Sequence, residues 1–187
     1  DYTNQQQQII VVNSSGALAG QTFNAGSSDM TGFELETKYA VTDNILIDFS
    51  YYSAETEFKS FELTDTRPPL SFTGNKMNYS PESSYNVGLT IYSDDDSSVF
   101  TMSYSQKDSY FMDPSNRFVS EQPAYGLLNM SYIKDFNDNL QMKIFCTNCT
   151  DEIYLTQVTT FAVQFGGGGR NYYANGNRVG LEVTYSF

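Results

Sequence analysis

Two cysteines, Cys146 and Cys149, form the only C-x-x-C pair of the chain, a spacing found in zinc sites. On a β-strand, residues three apart point to opposite faces, so these two thiols cannot bind one metal ion together. The chain also has no histidine and no second cysteine pair to complete a zinc site. A disulfide would require the strand to break into a turn here. We therefore expect two unpaired cysteines that pack as small apolar side chains.

Three other groups of residues could do chemistry, but each fits a simpler role. Glu34 and Glu36 share one face of a predicted strand, about 7 Å apart, near the separation of glycosidase carboxylates. Lys38 lies on the same face, so we interpret this face as the ordinary polar wall of a lumen rather than as a catalytic site. The aspartates 94–96 alternate in direction and fit a solvated turn better than a calcium site. The four glycines before Arg170 lack the lysine and the following helix of a phosphate-binding loop.

The composition excludes several classes of function. The absence of histidine from all 187 residues removes the commonest general base and the usual catalytic triads. With 22 acidic and 10 basic residues, the formal charge is −12, which repels nucleic-acid phosphates. We predict that the chain is not an enzyme, binds no nucleic acid and needs no cofactor.

The C-terminal segment 176–187 alternates between apolar and polar residues without a slip. Its apolar residues are Val179, Leu181, Val183, Tyr185 and Phe187. A period of two places them all on one face of an extended strand. A membrane barrel uses such a strand with lipid on one side and a polar lumen on the other. The chain's 15 tyrosines and 14 phenylalanines also suit the aromatic girdles of a membrane barrel.

Seven more segments are predicted to be strands, although Gln5 to Gln8 blur the alternation of the first, and their connections differ regularly in length. The predicted strands cover residues 1–12, 32–41, 45–51, 85–91, 100–104, 128–132, 140–146 and 176–187. Long loops are predicted at 13–29, 55–80, 108–123 and 151–175, and short turns at 42–44, 94–96 and 135–139. Long and short connections therefore alternate, as in outer-membrane barrels. We predict an all-β fold: an antiparallel up-and-down transmembrane β-barrel segment of about eight strands, with short periplasmic turns and long extracellular loops.

Two other interpretations fit parts of this pattern. One is a complete small eight-stranded outer-membrane barrel with a structural or adhesion role, since eight is an allowed strand number. The other is a secreted β-sandwich that binds carbohydrate through exposed aromatic side chains. No signal peptide opens the chain at Asp1. We therefore expect residues 1–187 to be an internal part of something larger rather than a complete barrel.

Three stretches resemble the barrel of TonB-dependent outer-membrane receptors. Residues 23–26 and 32–36 resemble that family's N-A-G…G-x-E-x-E hairpin. Residues 147–154 resemble its N-L-T/F-D-x-x-Y strand end, with Cys149 in place of the usual leucine. Residues 179–187 resemble its terminal G-L-x-x-x-Y-x-F strand. The three stretches occur in the family's order and spacing.

The resemblance implies that this chain is part of a larger receptor. It corresponds to the C-terminal part of a 22-stranded barrel plugged by an N-terminal domain, in the bacterial outer membrane. Such receptors take up siderophore-bound iron or another scarce ligand, powered by TonB through a short box before the plug. The chain contains neither plug nor box, so the expected partners are outer-membrane lipid, the missing plug and strands, and TonB only through that plug.

The resemblance and the loops also suggest functional residues. Tyr185 and Phe187 correspond to a terminal assembly signal read by the barrel-assembly machinery. A ligand vestibule could be formed by residues of the long loops, although girdle positions explain several of them equally well. These candidates are Tyr110, Phe111, Phe161, Phe165, Arg170 and Tyr172.

The terminal aromatic residue provides a first test. Deleting Phe187 from the full-length protein is expected to lower the amount that reaches the outer membrane, because the assembly machinery reads the unfolded terminus. Ligand affinity of the molecules that do arrive should change little. Quantitative blotting of outer-membrane fractions measures the first quantity, and an unchanged surface abundance would contradict the assembly role.

Overall fold

The computed structural model describes residues 1–160 and 169–187, and it consists mainly of β-strands. In chain order these are β1 (Tyr2–Val12), β2 (Leu18–Thr42), β3 (Ile45–Ser60), β4 (Glu62–Leu63), β5 (Leu70–Ser71), β6 (Ser83–Tyr92), β7 (Ser98–Lys107), β8 (Tyr110–Phe111), β9 (Glu121–Gln122), β10 (Tyr125–Asn137), β11 (Leu140–Thr147), β12 (Leu155–Thr160), β13 (Gly169–Tyr173) and β14 (Arg178–Tyr185). A 3-10 helix, Phe118–Ser120, precedes β9. Within the described ranges, no helix is long and apolar enough to cross a membrane.

Eight strands form one antiparallel sheet in the order β1-β2-β3-β6-β7-β10-β11-β14. Each pairs with its nearest neighbour in the sequence among these eight, so the predicted up-and-down meander is confirmed. Within the described residues β1 and β14 do not pair with each other, so the sheet is open. The other strands form three small hairpins, β4–β5, β8–β9 and β12–β13. The single continuous sheet does not fit the two packed layers of a β-sandwich.

The prediction of a long loop at 13–29 is wrong, because β2 begins inside this segment. The connection from β1 to β2 is a tight turn, in which the Asn13 side chain accepts a hydrogen bond from the backbone N–H of Ala17. At Gly26 the small residue is required by packing, because a Cβ atom there would lie 2.7 Å from the hydroxyl oxygen of Ser60 on β3. This glycine therefore allows close approach of two strands rather than marking a loop.

One face of the sheet carries a band of exposed apolar side chains. The pairing register places one row of them across six strands: Ile45, Ile91, Phe100, Tyr132, Ile144 and Leu181. The next row contains Ile47, Leu89, Met102, Met130, Cys146 and Val179. Leu181 is 63% exposed and Val179 71%. Soluble proteins rarely expose so continuous an apolar surface, whereas a bilayer solvates it. This face therefore faces lipid.

The opposite face is polar. Thr101 on β7 and Ser131 on β10 share a hydrogen bond of 2.8 Å across the strands. Asp48 on β3 lies opposite Gly88 on β6, where a Cβ atom would be 2.2 Å from the Asp48 carboxylate. The glycine thus makes room for a charged side chain on the inner wall. Polar, hydrogen-bonded residues of this kind are expected where a barrel wall faces a lumen.

The short turns at one end of the sheet are linked sideways by hydrogen bonds. Asn44 Nδ2 donates to Asp94 Oδ1 in the next turn at 2.6 Å, and Lys134 Nζ donates to Ser97 Oγ at 2.5 Å. Within the turn, Asp95 accepts hydrogen bonds from the Ser93 and Ser97 hydroxyls and the Ser97 N–H, and these hold the pKa of its carboxyl well below the usual range. The aspartates therefore shape and connect solvated turns.

A buried hydrophobic core lies at the other end, among the long connections. It consists of Ile9, Val11, Ala25, Phe58, Phe61, Leu63, Phe72 and Met77. The rings of Phe58 and Phe61 meet edge to face with centroids 5.1 Å apart. Phe58 and Thr56 project from the same side of β3 as the polar inner wall, and the Met77 N–H donates to the Thr56 hydroxyl. The connection 61–82 therefore folds inward over the sheet.

The two faces can be tested with a matched pair of substitutions in the full-length protein. Leu89→Arg places a charge in lipid and is expected to destabilise the barrel by about 2–4 kcal/mol if the site is near the bilayer midplane. Thr90→Arg points the same charge into the lumen and should destabilise it much less. Urea-dependent unfolding in lipid vesicles measures both. Equal destabilisation by the two arginines would contradict the assignment of the faces.

Candidate ligand site at the loop end of the sheet

Four tyrosines at the loop end of the sheet form a row, here called the tyrosine row: Tyr79, Tyr110, Tyr125 and Tyr154. The ring centroids of Tyr79 and Tyr110 are 6.2 Å apart. The Tyr110 and Tyr125 hydroxyls are close enough for each to affect the pKa of the other. Tyr125 in turn stacks on Tyr154, with centroids 4.4 Å apart and planes 5° from parallel. The row thus connects the segment before β6 with the segment before β12.

Backbone hydrogen bonds and a buried amide hold this row in place. The Tyr79 N–H donates to the Phe111 carbonyl at 2.7 Å, which ties the segment before β6 to β8. Gln122 on β9 is only 2% exposed, and its Oε1 accepts the Leu155 N–H at 2.6 Å. This bond fixes β12 beside β9. Because each tyrosine comes from a restrained segment, the row is a preformed surface.

Partial burial raises the pKa of two tyrosines of the row. Removal from water, together with the neighbouring Tyr125, raises the pKa of Tyr110 well above its usual range. Burial and then the negative charge of Asp113 raise the pKa of Tyr79. An ordinary tyrosine is already neutral at pH 7, so both hydroxyls are protonated and can donate hydrogen bonds. The row offers aromatic faces and hydroxyl groups to a ligand, without a negative charge of its own.

The expectation of two unpaired cysteines is wrong, because Cys146 and Cys149 form a disulfide. β11 ends at Thr147, and Asn148 takes the left-handed conformation with φ of 48°. The chain therefore turns between the cysteines, and their Cα atoms lie 5.5 Å apart. A strand geometry would have kept the thiols on opposite faces. Asparagine tolerates this backbone conformation better than most residues, so Asn148 was the sequence signal for the turn.

Side-chain hydrogen bonds hold the stretch 147–154 in a fixed conformation after the end of β11. Asn148 Oδ1 accepts the Glu152 N–H, and its Nδ2 donates to the Glu152 carbonyl, both at 2.9 Å. Asp151 Oδ1 accepts the Asn177 N–H at 2.8 Å, which holds the approach to β14. A Cβ atom on Gly176 would lie 2.6 Å from that carboxylate oxygen. These motif residues therefore have a structural role that positions Tyr154.

The structure brings only some of the predicted vestibule residues together. Tyr110 belongs to the tyrosine row, and Phe111 follows it on β8, opposite Glu121 on β9. Arg170 and Tyr172 lie exposed on β13, where they pair with residues of β12. Two further candidates, Phe161 and Phe165, lie outside the described residues.

The predicted assembly residues lie at the chain end. Tyr185 and Phe187 are exposed and meet edge to face with centroids 5.1 Å apart. Tyr185 is the last residue of β14 and pairs with Leu140. Their role as an assembly signal stays a prediction.

Two cavities border the tyrosine row. The first, here called the mouth cavity, has a volume of about 640 Å³ and is lined by Gln8, Asn78, Tyr79, Met112, Asp113 and Val158, among others. The second, of about 310 Å³, lies on the inner wall and is lined by Glu34, Glu36, Lys107 and Tyr125, among others. Both glutamates therefore lie on the polar inner face. Among the described residues, no group of three His, Cys, Asp or Glu side chains could hold a metal ion.

Tyr79 and Tyr125 could not be identified as site residues from the sequence. Tyr79 lies in a connection without periodicity, and Tyr125 precedes the alternating part of β10. Both tyrosines contact residues that are distant in the sequence, and a local sequence pattern cannot predict such contacts. A proline two residues before Tyr125 was the only hint of a strand start there.

The buried amide that anchors β12 can be tested directly. Gln122→Ala leaves the buried Leu155 N–H without its acceptor and is expected to destabilise the β12–β13 hairpin by about 1–3 kcal/mol. Hydrogen–deuterium exchange of residues 155–160 should become faster. Gln157→Ala, at an exposed position of the same strand, is the control and should leave exchange unchanged. Identical exchange in both variants would contradict the anchoring role of Gln122.

Comparison with solved structures confirms the fold. The ferric yersiniabactin uptake receptor FyuA from Yersinia pestis superimposes with a TM-score of 0.74 at 19% identity, over 89% of this chain and 25% of that receptor. The siderophore receptor PiuA from Acinetobacter baumannii gives 0.72 at 18% identity, over 97% and 24%. The copper transporter OprC gives 0.71 at 13% identity, over 98% and 28%. The chain thus spans about a quarter of the length of these proteins.

A comparison of sequences identifies the family. No curated protein matches the chain. The family model described as TonB dependent receptor-like, beta-barrel matches residues 1–149, which is most of the chain. That match agrees with the open meander, the lipid-facing band and the neighbouring solved structures. Members of this family are transport receptors of the bacterial outer membrane. The chain belongs to the TonB-dependent receptor β-barrel family.

Proposed function

We propose that this chain is the C-terminal part of the barrel wall of a larger TonB-dependent receptor, which imports a scarce ligand across the outer membrane. The observation that carries the proposal is the open sheet of eight strands, which belongs to this family and has lipid-facing and lumen-facing sides. An open edge is costly in a bilayer, because unpaired backbone groups cannot bond to water there. Strands outside this chain that pair with β1 and β14 remove that cost.

In this proposal the inner wall and the loop end of the sheet have different tasks. The inner wall, with side chains such as Asp48, Ser131 and Lys143, offers polar contacts to a plug domain. The inward-folded connection 61–82 and the tyrosine row narrow the outer mouth and offer the first surface to a ligand. In this proposal TonB acts only through the plug, and the wall itself does no chemistry.

The cargo is proposed from fold and surface rather than from identity. The similar solved structures include a ferric yersiniabactin uptake receptor, a siderophore receptor and a copper transporter, but their identity to this chain is only 13% to 19%. Aromatic and hydroxyl groups at the mouth suit a medium-sized organic chelate better than a bare metal ion, which would need several charged ligands. Siderophore-bound iron is therefore the leading cargo.

A complete eight-stranded barrel is the competing interpretation. It requires β1 to pair with β14, a pairing that is absent from the described residues. It also predicts a mature outer-membrane protein near the 21.0 kDa of this chain. The receptor proposal predicts one roughly four times larger, since the chain covers 25% of a typical relative.

The function can be tested in cells that express the full-length gene under iron limitation. Uptake of radioactive iron, supplied on a panel of siderophores, is expected to depend on this gene and to disappear when TonB is depleted. Blotting of the outer membrane with an antibody against residues 1–187 gives the mature size in the same cells. The proposal would be contradicted by uptake that continues without TonB, or by uptake that is unchanged for all siderophores when the receptor gene is deleted. A band near 21.0 kDa would also contradict it.

A further inference from the structure

The mouth cavity contains a buried carboxylate that is only partly satisfied. Asp113 is 9% exposed and lines the cavity. Its Oδ1 atom accepts hydrogen bonds from the Ser115 N–H, at 2.8 Å, and from the Ser115 hydroxyl. Its Oδ2 atom is buried and has no hydrogen-bond partner among the described residues. The hydroxyl of Ser80, next to Tyr79, is also buried without a partner.

One cation, Arg117, reaches this carboxylate through the Ser115 hydroxyl, which itself donates to Asp113 Oδ1. Arg117, on the same connection, donates its Nε–H to the Ser115 hydroxyl at 3.1 Å. The two ion pairs within 4.0 Å in the described residues are Lys59–Glu57 and Lys76–Glu82, so neither involves Asp113. None of the described residues that line the mouth cavity is a lysine or an arginine. A buried carboxylate oxygen without a hydrogen-bond donor raises the free energy of the folded protein. A cationic ligand that donates a hydrogen bond to this oxygen would therefore bind favourably.

The other walls of the cavity suit an organic cation. Tyr79 is close enough to Asp113 for that charge to affect its hydroxyl, and its ring is 52% exposed. Ile9, Met112 and Val158 provide apolar contacts, and the amides of Asn78 and Gln8 provide hydrogen-bonding groups. An aromatic face beside a carboxylate is a combination that recognises ammonium groups by cation–π and charge-assisted hydrogen bonds.

We infer that the mouth cavity binds an ammonium group of a small organic ligand, with Asp113 as its counter-ion and Tyr79 as its aromatic wall. An anionic group is disfavoured, since the only charge among the described lining residues is negative. The inference deepens the proposed function, because it gives the cargo a cationic amine. It concerns equilibrium binding alone, so it can fail or succeed independently of TonB-driven transport.

A matched pair of probes tests this in the purified full-length receptor in detergent. Tyramine and tyrosol share a phenol ring and chain length, but the first ends in an ammonium group and the second in a neutral hydroxyl. Saturation-transfer NMR titration is expected to give about tenfold tighter binding of tyramine, the effect of one charge-assisted hydrogen bond. Asp113→Asn retains the acceptor for Ser115 and should reduce the preference to near unity.

Two further variants separate this site from general attraction by an acidic surface. Glu55→Gln removes an exposed charge of β3 that does not line the cavity, and it should retain the full preference for tyramine. Tyr79→Leu keeps Asp113 but removes the aromatic wall and should weaken tyramine binding by several-fold. Equal binding of the two probes, binding of neither, or an undiminished preference in Asp113→Asn would overturn the inference. Loss of preference in Glu55→Gln as large as in Asp113→Asn would also overturn it.

Discussion

The constraint on which this structure depends is that a hydrocarbon layer offers no hydrogen bonds to the backbone. Every N–H and carbonyl group within the membrane must therefore pair with a neighbouring strand. The up-and-down meander satisfies this because each strand pairs with its nearest sheet neighbour in the sequence. The same constraint fixes the register, because a slip of one residue would turn Leu181 inward and Glu182 toward lipid.

Lipid outside and water inside leave the spanning sheet without a hydrophobic core of its own. The buried apolar residues lie instead at the loop end, around Phe58 and Phe61, and in a second cluster around Met112 and Leu155. These clusters give the mouth of the barrel a packed interior like that of a small soluble domain. The connections that meet a ligand are consequently held by packing and by buried polar side chains such as Gln122 and Asn148. Rigid loops of this kind lose less conformational entropy on binding.

Local alternation was enough to predict most of the spanning strands, because the two solvents impose a period of two directly on the sequence. β14, β3 and β6 were predicted on this basis, as were the short turns that contain Asp43 and Asp95. The start of β2 was not, since Gly26 and its small neighbours look like a loop until their contact with Ser60 is known. The disulfide was missed because it depends on the left-handed conformation of Asn148.

The candidate site was harder to predict than the fold. Of the proposed vestibule residues, Tyr110 lies in the tyrosine row, and it does so through contacts with Tyr79 and Tyr125 that are distant in sequence. The importance of Asp113 likewise depends on burial and on a missing hydrogen bond, which composition does not reveal. The periodicity of a sequence indicates whether each face of a strand contacts lipid or water. A binding surface is instead formed by several connections together, so the pattern of any one of them does not predict it.

The central claim is that one face of this sheet contacts lipid and the other a lumen. The most direct test scans spin-labelled single cysteines through residues 127–133 of β10, in the full receptor in bilayers, with Cys146 and Cys149 replaced by alanine. The account predicts high accessibility to oxygen at Met130 and Tyr132, which belong to the lipid-facing rows, and at Leu128, which lies on the same face of β10. Leu127, Asn129 and Ser131 should instead show low oxygen accessibility, with contact to a water-soluble nickel complex wherever the plug leaves space. A profile without this period of two would contradict the account.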